Sequence, residues 1–427
     1  MRNAPLIPNG IFPAVFVQVD AFMTNRILLS LVLVLHASVT AAASDGEAEP
    51  LWNFGGFGTL GAGYHNRENV IYRRDLEQAG GIESHKLGFR MDSRLGLQAS
   101  ASFTPQWSTT LQAVSRLSAD GDWAPMLSWG FVRYAPTDWL EVRAGRLGAD
   151  IYLEGDSRHV GYAYTAVRPP AEVYGVVTQD RFDGADLTVR TPFAGGLGSL
   201  KMYGGQSRGD FYLYGQRVTQ DDATTLGATL EWTNDTLTLK AAWADIHASD
   251  DLSLVRLRDA LASIPLAQAQ YRASQIKTSH HITFAGISAR YESGPWSLQG
   301  ILARETFSQF PRYAGWGSSV VAGYRVGPWK PYLTWGRISF VPEESALVLP
   351  PAAAALQPVY EQVVGRLTMN QRSFGAGVRY DFATNYALKM QVEKVNASSS
   401  SILITPSGMP VRDVSLTLFS VVLDFVF

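Results

Sequence analysis

Apolar and polar side chains alternate over long stretches of this 427-residue chain, most clearly in its last segment, VSLTLFSVVLDFVF (Val414–Phe427). Counting back from Phe427, every second residue as far as Phe419 is apolar, whereas Asp424 and Ser420 lie between these positions. A period of two predicts a β-strand with one apolar face. This strand alone does not decide whether that face meets a protein core or lipid.

The same alternation recurs from end to end of the chain and predicts an all-β fold of about 16 strands. Many of these segments approach the roughly 9 to 11 residues that a membrane-crossing strand needs, whereas strands of globular proteins average about 5 or 6 residues. The predicted strands are 51–64, 85–103, 106–117, 126–135, 138–147, 181–190, 197–208, 224–233, 236–247, 280–292, 295–307, 317–326, 329–340, 371–382, 385–395 and 412–427.

The connections between these strands alternate between short and long. Short turns are predicted around Pro105, Pro136, Pro192, Asn234, Gly294-Pro295, Gly327-Pro328 and Asn385, and longer loops at 65–84, 117–125, 148–180, 209–223, 248–279, 308–316, 341–370 and 396–411. Short turns at one rim, long loops at the other and an even strand count are typical of a transmembrane antiparallel β-barrel of the outer-membrane type. The last strand must then pair with the first to leave no open edge.

Aromatic residues next to the short turns agree with a barrel in a membrane. Rings at this level are expected to form a girdle at the membrane interface. The predicted interface residues are Trp107, Trp139, Trp232, Trp296, Trp329, Tyr386 and the terminal Phe427.

The N-terminal segment has the pattern of an export signal. From Met23 the chain carries Arg26, an apolar run and a small-residue site, which predicts a secretory signal peptide over 23–43, cut after Ala43. Residues 1–22 are interpreted as an upstream extension before the true start, and 44–427 as a single barrel domain. Removing residues 1–43 takes away two arginines and one aspartate and changes the net charge from −2 to −3.

Composition excludes some classes of protein. The mean hydropathy of −0.02 is far too polar for a helical membrane protein, and beyond Ala43 no apolar run approaches about 20 residues. The absence of cysteine is compatible with an oxidising compartment. No cofactor motif is present, and neither a metal ion nor a nucleic-acid partner is expected.

Four short motifs show a resemblance to a known family: FGGFGTLGAGY (Phe54–Tyr64), SRLGLQASASF (Ser93–Phe103), VRAGR (Val142–Arg146) and the terminal LDFVF. With the barrel pattern, they make the chain resemble the general porins of Gram-negative outer membranes. The resemblance implies a trimeric, 16-strand, water-filled channel whose long third loop folds inward. It also implies contact with outer-membrane lipids and lipopolysaccharide, and recognition of the C-terminal strand by the barrel-assembly machinery.

In that family, basic residues on one wall of the lumen face acidic residues on the inward loop, and charges at the narrowest point select ions. Arg94 matches the wall arginine of the RLG motif. The predicted pore-wall residues are Arg94, Arg90, Lys86, Arg116 and Arg143, and the predicted constriction-loop residues are Asp150, Glu154, Asp156, Arg158, Arg168 and Glu172.

Other functions remain open. An outer-membrane enzyme would need a catalytic constellation, but neither a G-x-S-x-G nor an H-E-x-x-H motif is present. His280 and His281 are neighbours on a predicted strand, so their side chains are expected on opposite faces and joint metal ligation is not expected. A substrate-specific channel for anions or sugars, or a structural barrel, remains an alternative.

Two long loops have distinctive composition. Asp250–Ser274 has leucines at helical spacing after an acidic start, which predicts a short helix that could be a cap, a subunit contact or a second constriction. Val348–Gln362 is rich in proline and alanine and is predicted to be an irregular loop.

Overall fold

The computed structural model describes residues 51–176, 181–250, 252–307, 313–342, 346–365 and 367–427. The predicted extension (1–22) and signal peptide (23–43) lie outside these residues and stay predictions. The strands are β1 Trp52–His65, β2 Ile71–Tyr72, β3 Ile82–Glu83, β4 Arg94–Ser102, β5 Trp107–Arg116, β6 Met126–Thr137, β7 Leu140–Gly148, β8 Arg181–Phe193, β9 Gly196–Leu213, β10 Gln216–Thr233, β11 Leu237–Asp250, β12 Ser279–Ser293, β13 Trp296–Phe307, β14 Tyr313–Tyr324, β15 Trp329–Pro342, β16 Met369–Ala383, β17 Tyr386–Ile404 and β18 Pro410–Val426.

Sixteen of these strands, all except the short β2 and β3, form one closed antiparallel barrel. β1 pairs with β4 on one side and with β18 on the other, so that Thr59 lies opposite both Arg94 and Asp424. The predicted all-β barrel of 16 strands with a first-to-last closure is confirmed, and each predicted strand overlaps an observed one.

Tight turns close the hairpins at the short-turn rim. Ala194 and Gly195 have φ values of 49° and 74°. Positive φ at both central residues is the condition of a type I′ turn, whose twist matches that of the flanking strands.

Two predicted long loops are largely strand. The prediction of a loop at 209–223 was wrong, because β9 and β10 continue to a two-residue turn at Tyr214-Gly215, where the φ values are 52° and 75°. Likewise β17 continues to Ile404 and leaves a short connection to β18.

The outer face of the barrel is apolar and exposed. Leu226 and Leu230 on β10, Trp243 on β11 and Ile287 on β12 are between 45% and 60% exposed, and every second residue between them points inward. A continuous exposed apolar surface of this kind is typical of the outer face of a transmembrane β-barrel.

Helices occupy two of the long connections at the other rim. The helix predicted within 250–274 is confirmed as two helices, Leu252–Ala262 and Ala267–Gln275. The prediction of an irregular loop at Val348–Gln362 was wrong: a 3₁₀ helix Pro351–Leu356 leads into an α-helix Gln357–Gly365. Proline is tolerated in the first turn of a helix, and Tyr360 is buried against Leu254, Leu257 and Leu261 of the first helix, so packing stabilises both. No helix among the described residues is long and apolar enough to cross a membrane.

Candidate pore constriction

The connection between β7 and β8, called the inward loop and described over 149–176, crosses the interior of the barrel. Its first anchor is Asp150. The carboxylate of Asp150 forms ion pairs with Lys201 on β9, at 2.6 Å, and with Lys240 on β11. Thr229 also donates its hydroxyl to the Asp150 carbonyl at 2.8 Å. Burial opposes ionisation of Asp150, but the two lysines outweigh it and lower its pKa to about 2.

The second anchor lies on the opposite wall, where β17, β18 and β1 meet. Lys389 donates to the Gly161 carbonyl at 2.8 Å and pairs with Asp424 at 2.9 Å, and both ionic side chains are fully buried. Thr59 donates to Asp424 at 2.5 Å. Because β11 and β1 are separated by half of the barrel's strands, the loop spans the full lumen between its two anchors.

Gly161 is at the point of closest approach to this wall. A Cβ atom there would collide with the Asp424 carboxylate and the Thr59 hydroxyl, and would lie 2.8 Å from a guanidinium nitrogen of Arg94. Only glycine therefore lets the loop backbone reach Lys389.

Arginines of the wall bind carbonyls of the loop. Arg94 donates through Nε to the His159 carbonyl at 2.6 Å and is only 3% exposed. Arg379 on β16 donates to the carbonyls of Tyr162 and Tyr164 at 2.8 and 2.7 Å. The inward position predicted for Arg94 agrees with the strand register, but its side chain lies beneath the loop and secures it.

Arg168 is a third anchor and comes from the loop itself. It donates to both oxygens of Asp92, at 3.0 and 2.7 Å, to the Ser420 hydroxyl at 2.6 Å and to Glu393 at 3.5 Å. Arg168 and Asp92 each keep 2% of their side-chain surface exposed, so this is a buried ion pair.

Three of the remaining predicted loop residues, Glu154, Arg158 and Glu172, contact the wall or other residues of the loop, whereas Asp156 is exposed. Glu154 accepts hydrogen bonds from Arg290 of β12, at 2.9 Å, and from the hydroxyl of Tyr174. Burial and the neighbouring carboxylate raise the pKa of Tyr174. Arg158 donates to the Tyr174 carbonyl at 3.3 Å, and Glu172 receives the amide of Gln371 at 2.9 Å.

An apolar core fills one side of the lumen between the inward loop and the wall. Tyr152 packs at 5.4 Å, edge to face, on Phe284 of β12, and at 4.4 Å on Tyr174. Ile301 and Ala303 of β13 complete this wall of the cluster. Because an interior packed with apolar side chains admits no water, any polar passage must lie outside this core.

A cavity of about 510 Å³ lies between the loop and the wall from β1 to β11. Its lining reaches Leu197 and Thr233 at the short-turn ends of β9 and β10. The cationic side chains of its lining are Arg190, Lys201 and Lys240, and the anionic ones are Asp150, Asp156 and Glu231. Of the predicted constriction residues, only Asp150 and Asp156 contribute to this lining.

The predicted pore-wall residues divide into two groups. Arg116 and Arg143 face inward as predicted, but each is paired: Arg116 with Asp75, at 3.4 Å, and Glu77 of the first long connection, and Arg143 with Asp186 of β8, at 3.0 Å from Nε. Arg116 is buried and Arg143 is half-buried in these pairs, and neither lines the cavity.

The prediction that Lys86 and Arg90 lie on the lumen wall was wrong. β4 begins only at Arg94, and His85 has a φ of 54°, which no strand accommodates. Lys86 is exposed and pairs with Glu83 at 2.7 Å, and Arg90, also exposed, donates to the Gly121 carbonyl. Both residues therefore belong to the first long connection.

The sequence analysis missed Lys201, Lys240, Arg190 and Glu231, which form most of the charged lining of the cavity. Each has inward parity on a correctly predicted strand, so a parity count on β8 to β11 could have found them. It also missed the buried Lys389.

The predicted interface aromatics surround the short-turn rim. Trp107 stacks on Tyr134 with ring centroids 4.4 Å apart, and Trp329 stacks on Tyr380 at 4.0 Å. Their contact with a membrane interface stays a prediction. Trp107, Trp139, Trp296, Trp329 and Phe427 are at least 46% exposed, whereas Trp232 and Tyr386 are half-buried.

Comparison of the fold with solved structures gives clear matches. OmpF of Salmonella typhi in complex with daunomycin matches with a TM-score of 0.55 at 13% identity, over 88% of this chain and 97% of that one. The anion-selective porin from Comamonas acidovorans matches with a TM-score of 0.52 at 14% identity, over 88% and 99%. The trimer form of OmpT from Vibrio cholerae matches with a TM-score of 0.50 at 10% identity, over 88% and 100%.

Sequence comparison adds nothing to this likeness: no protein-family model and no curated protein matches the chain. At 10 to 14% identity, what these neighbours share with the chain is architecture. The closed sixteen-strand barrel and the loop that crosses its lumen give this chain the fold of Gram-negative outer-membrane porins.

Proposed function

We propose that the protein is an outer-membrane channel for the passive diffusion of ions and small hydrophilic solutes. The observation that carries the proposal is the cavity of about 510 Å³ beside the inward loop, lined by charged and hydroxyl side chains. A barrel of sixteen strands is wide enough to hold an aqueous passage. The porin fold supports the same reading, and no catalytic activity is proposed.

The charges of the lining lead us to expect weak ion selectivity. The lining carries three cationic side chains (Arg190, Lys201 and Lys240) and three anionic ones (Asp150, Asp156 and Glu231), and both lysines are paired with Asp150. A ring of one sign excludes ions of that sign, whereas a balanced lining favours neither. Arg190 and Glu231 keep 33% and 38% of their side-chain surface exposed, and Asp156 is also exposed, so these three should act most on passing ions.

The test is the reversal potential of single channels in a planar bilayer under a KCl gradient, with the refolded mature protein. We expect discrete conductance steps and a reversal potential near zero for the wild type. Arg190→Gln should shift the potential towards cation preference, and Glu231→Gln should shift it in the opposite direction. Arg90→Gln, on the exposed first connection, is the matched control and should leave it unchanged.

Two results would contradict the proposal. A sample verified as folded barrel that carries no current would exclude a diffusion channel. Equal shifts from Arg90→Gln and Arg190→Gln would mean that the cavity is not the conducting path.

A substrate-specific channel is the second candidate, and one observation favours it. The apolar cluster around Tyr152 and Phe284 fills part of the lumen, so the space left for a passage is narrower than the barrel. A narrow, shaped passage can bind one solute in preference to others. A current that one anion or sugar blocks with saturation would favour this candidate, whereas uptake that depends only on solute size would favour general diffusion.

The surroundings of the channel follow from the same proposal. We propose that the exposed apolar outer face contacts outer-membrane lipids and lipopolysaccharide, that the barrel-assembly machinery recognises the C-terminal strand, and that the protein is a homotrimer. The trimer form of Vibrio cholerae OmpT supports the last point. Mass determination of the detergent-solubilised protein tests it, and a monomer at all concentrations would contradict it.

A further inference from the structure

Three metal-ligating side chains meet on the outer face of the barrel, away from the lumen. Asp245 and His247 are two residues apart on β11, and His281 lies directly opposite His247 on β12. Their neighbours Ala244 and Ile246 point inward and are buried, so parity turns Asp245, His247 and His281 outward. The group lies beyond Trp243, towards the long-loop rim.

The three side chains already contact one another. One oxygen of Asp245 lies 2.8 Å from Nδ1 of His247, and the other lies 2.7 Å from Nε2 of His281. The two imidazole rings stack with centroids 4.2 Å apart and an interplanar angle of 21°. One ligand atom from each residue lies within 4.8 Å of the other two.

This donor set suits a transition-metal ion. Two imidazole nitrogens and one carboxylate oxygen are a common ligand set of four-coordinate zinc sites that have three protein ligands, with metal–ligand distances of about 2.0 to 2.2 Å. Tetrahedral bonds of that length place ligand atoms about 3.3 Å apart, between the closest and the widest separations found here. Small side-chain rotations would therefore bring the three atoms around one ion.

The surroundings favour a site with an open position. His247 and His281 keep 63% and 41% of their side-chain surface exposed, whereas Asp245 keeps only 18%. The half-buried carboxylate is also in contact with the Thr283 hydroxyl at 3.4 Å, which helps to fix its orientation. An ion bound by these three residues would keep a fourth position for water.

We propose that Asp245, His247 and His281 bind one divalent transition-metal ion of the zinc class on the outer face of the barrel. Imidazole ligands select Zn²⁺, Cu²⁺ or Ni²⁺ over Ca²⁺ and Mg²⁺, which prefer sets of oxygen ligands. The site is independent of conduction through the lumen. It joins two strands whose ends carry the loop that holds the helices Leu252–Ala262 and Ala267–Gln275.

Calorimetric titration with Zn²⁺ tests the site, using the full mature barrel without a histidine tag in a non-ionic, lipopolysaccharide-free detergent. We expect one equivalent of Zn²⁺ to bind. His247→Gln and His281→Gln should each weaken binding by at least about tenfold, because even losing a residue that only orients a ligand costs 10- to 100-fold. Heat modifiability on gels shows that each variant is a folded barrel.

The matched control is His85→Asn, which removes an exposed histidine of the first connection; asparagine tolerates the positive φ of that position. This variant should bind Zn²⁺ as the wild type does. Unchanged binding in His247→Gln or His281→Gln, no binding by the wild type, or Ca²⁺ binding as tight as Zn²⁺ would each overturn the proposal. Single-channel conductance of His281→Gln should equal that of the wild type, which separates this site from the proposed channel.

Discussion

Arg168→Leu should loosen the inward loop, because Arg168 is the buried cation that attaches the loop to β18 and to the start of β4. The substitution leaves Asp92 and Glu393 buried without their guanidinium partner. Breaking a buried ion pair on one side costs about 3 to 5 kcal/mol. Since 1.36 kcal/mol is a factor of ten, the ratio of docked to undocked loop should fall by roughly 150- to 5,000-fold.

Cysteine accessibility measures this ratio without background, because the chain contains no cysteine. Ala166 is two residues from Arg168 in the loop and 3% exposed, so a cysteine there is protected while the loop is docked. The rate at which Ala166→Cys reacts with a small water-soluble thiol reagent is then proportional to the undocked fraction. Arg168→Leu in this background should raise the rate by the predicted factor.

Two further variants make this test decisive. Arg90→Leu removes an exposed arginine and should leave the rate unchanged. Asp92→Leu combined with Arg168→Leu should accelerate labelling by less than the two single effects multiplied, because an apolar pair leaves no unpaired charge at that contact. Labelling of Arg168→Leu at the rate of the parent would refute the assignment of this ion pair as an anchor.

Two other predictions concern the opposite ends of the loop. Gly161→Ala should displace the loop from the wall at Asp424 and so increase single-channel conductance and current noise. Gly80→Ala is the control and should change neither, because a Cβ atom there meets nothing within 4 Å. Equal conductance in both variants would contradict the close contact at Gly161. Burial raises the pKa of Asp150, but Lys240 and Lys201 outweigh it and lower the pKa from 3.8 to about 2. The ionised Asp150 therefore stabilises the docked loop by roughly 2 kcal/mol. This contribution is complete above about pH 4 and is lost as the pH falls towards 2. Labelling of Ala166→Cys, with a reagent that reacts at low pH, should therefore accelerate over this range, and Asp150→Asn should remove the dependence; a wild-type rate that is flat from pH 5 to 2 would contradict the assignment.

The strands could be predicted from the sequence because their signal is local. In a strand with one face in lipid and one in a polar lumen, apolar and polar residues must alternate, and this pattern can be recognised in each strand independently of the others. The strand ends were less certain: 85–93 alternates as a strand would, yet His85 takes a positive φ and β4 begins at Arg94. Lys86 and Arg90 were misplaced for that reason.

The constriction could be predicted only in part. Parity identified the inward direction of Arg94, Arg116 and Arg143, but parity does not say which acid lies across from each of them. Arg116 forms ion pairs with residues of the first connection, and this contact depends on the path of that loop. Arg143 forms an ion pair with Asp186, and this contact depends on the neighbouring strand. The residues that line the cavity therefore differ from those that the resemblance implied.

By itself, the sequence determined the barrel: the number of its strands, its short and long rims and its apolar outer face all follow from a repeat with a period of two. Tertiary structure decided which charges meet. Asp150 lies 51 residues from Lys201 and 90 from Lys240 along the chain, and His281 reaches His247 only through the register of β11 and β12. Such contacts depend on distances between distant segments, which the local alternation of side chains does not encode.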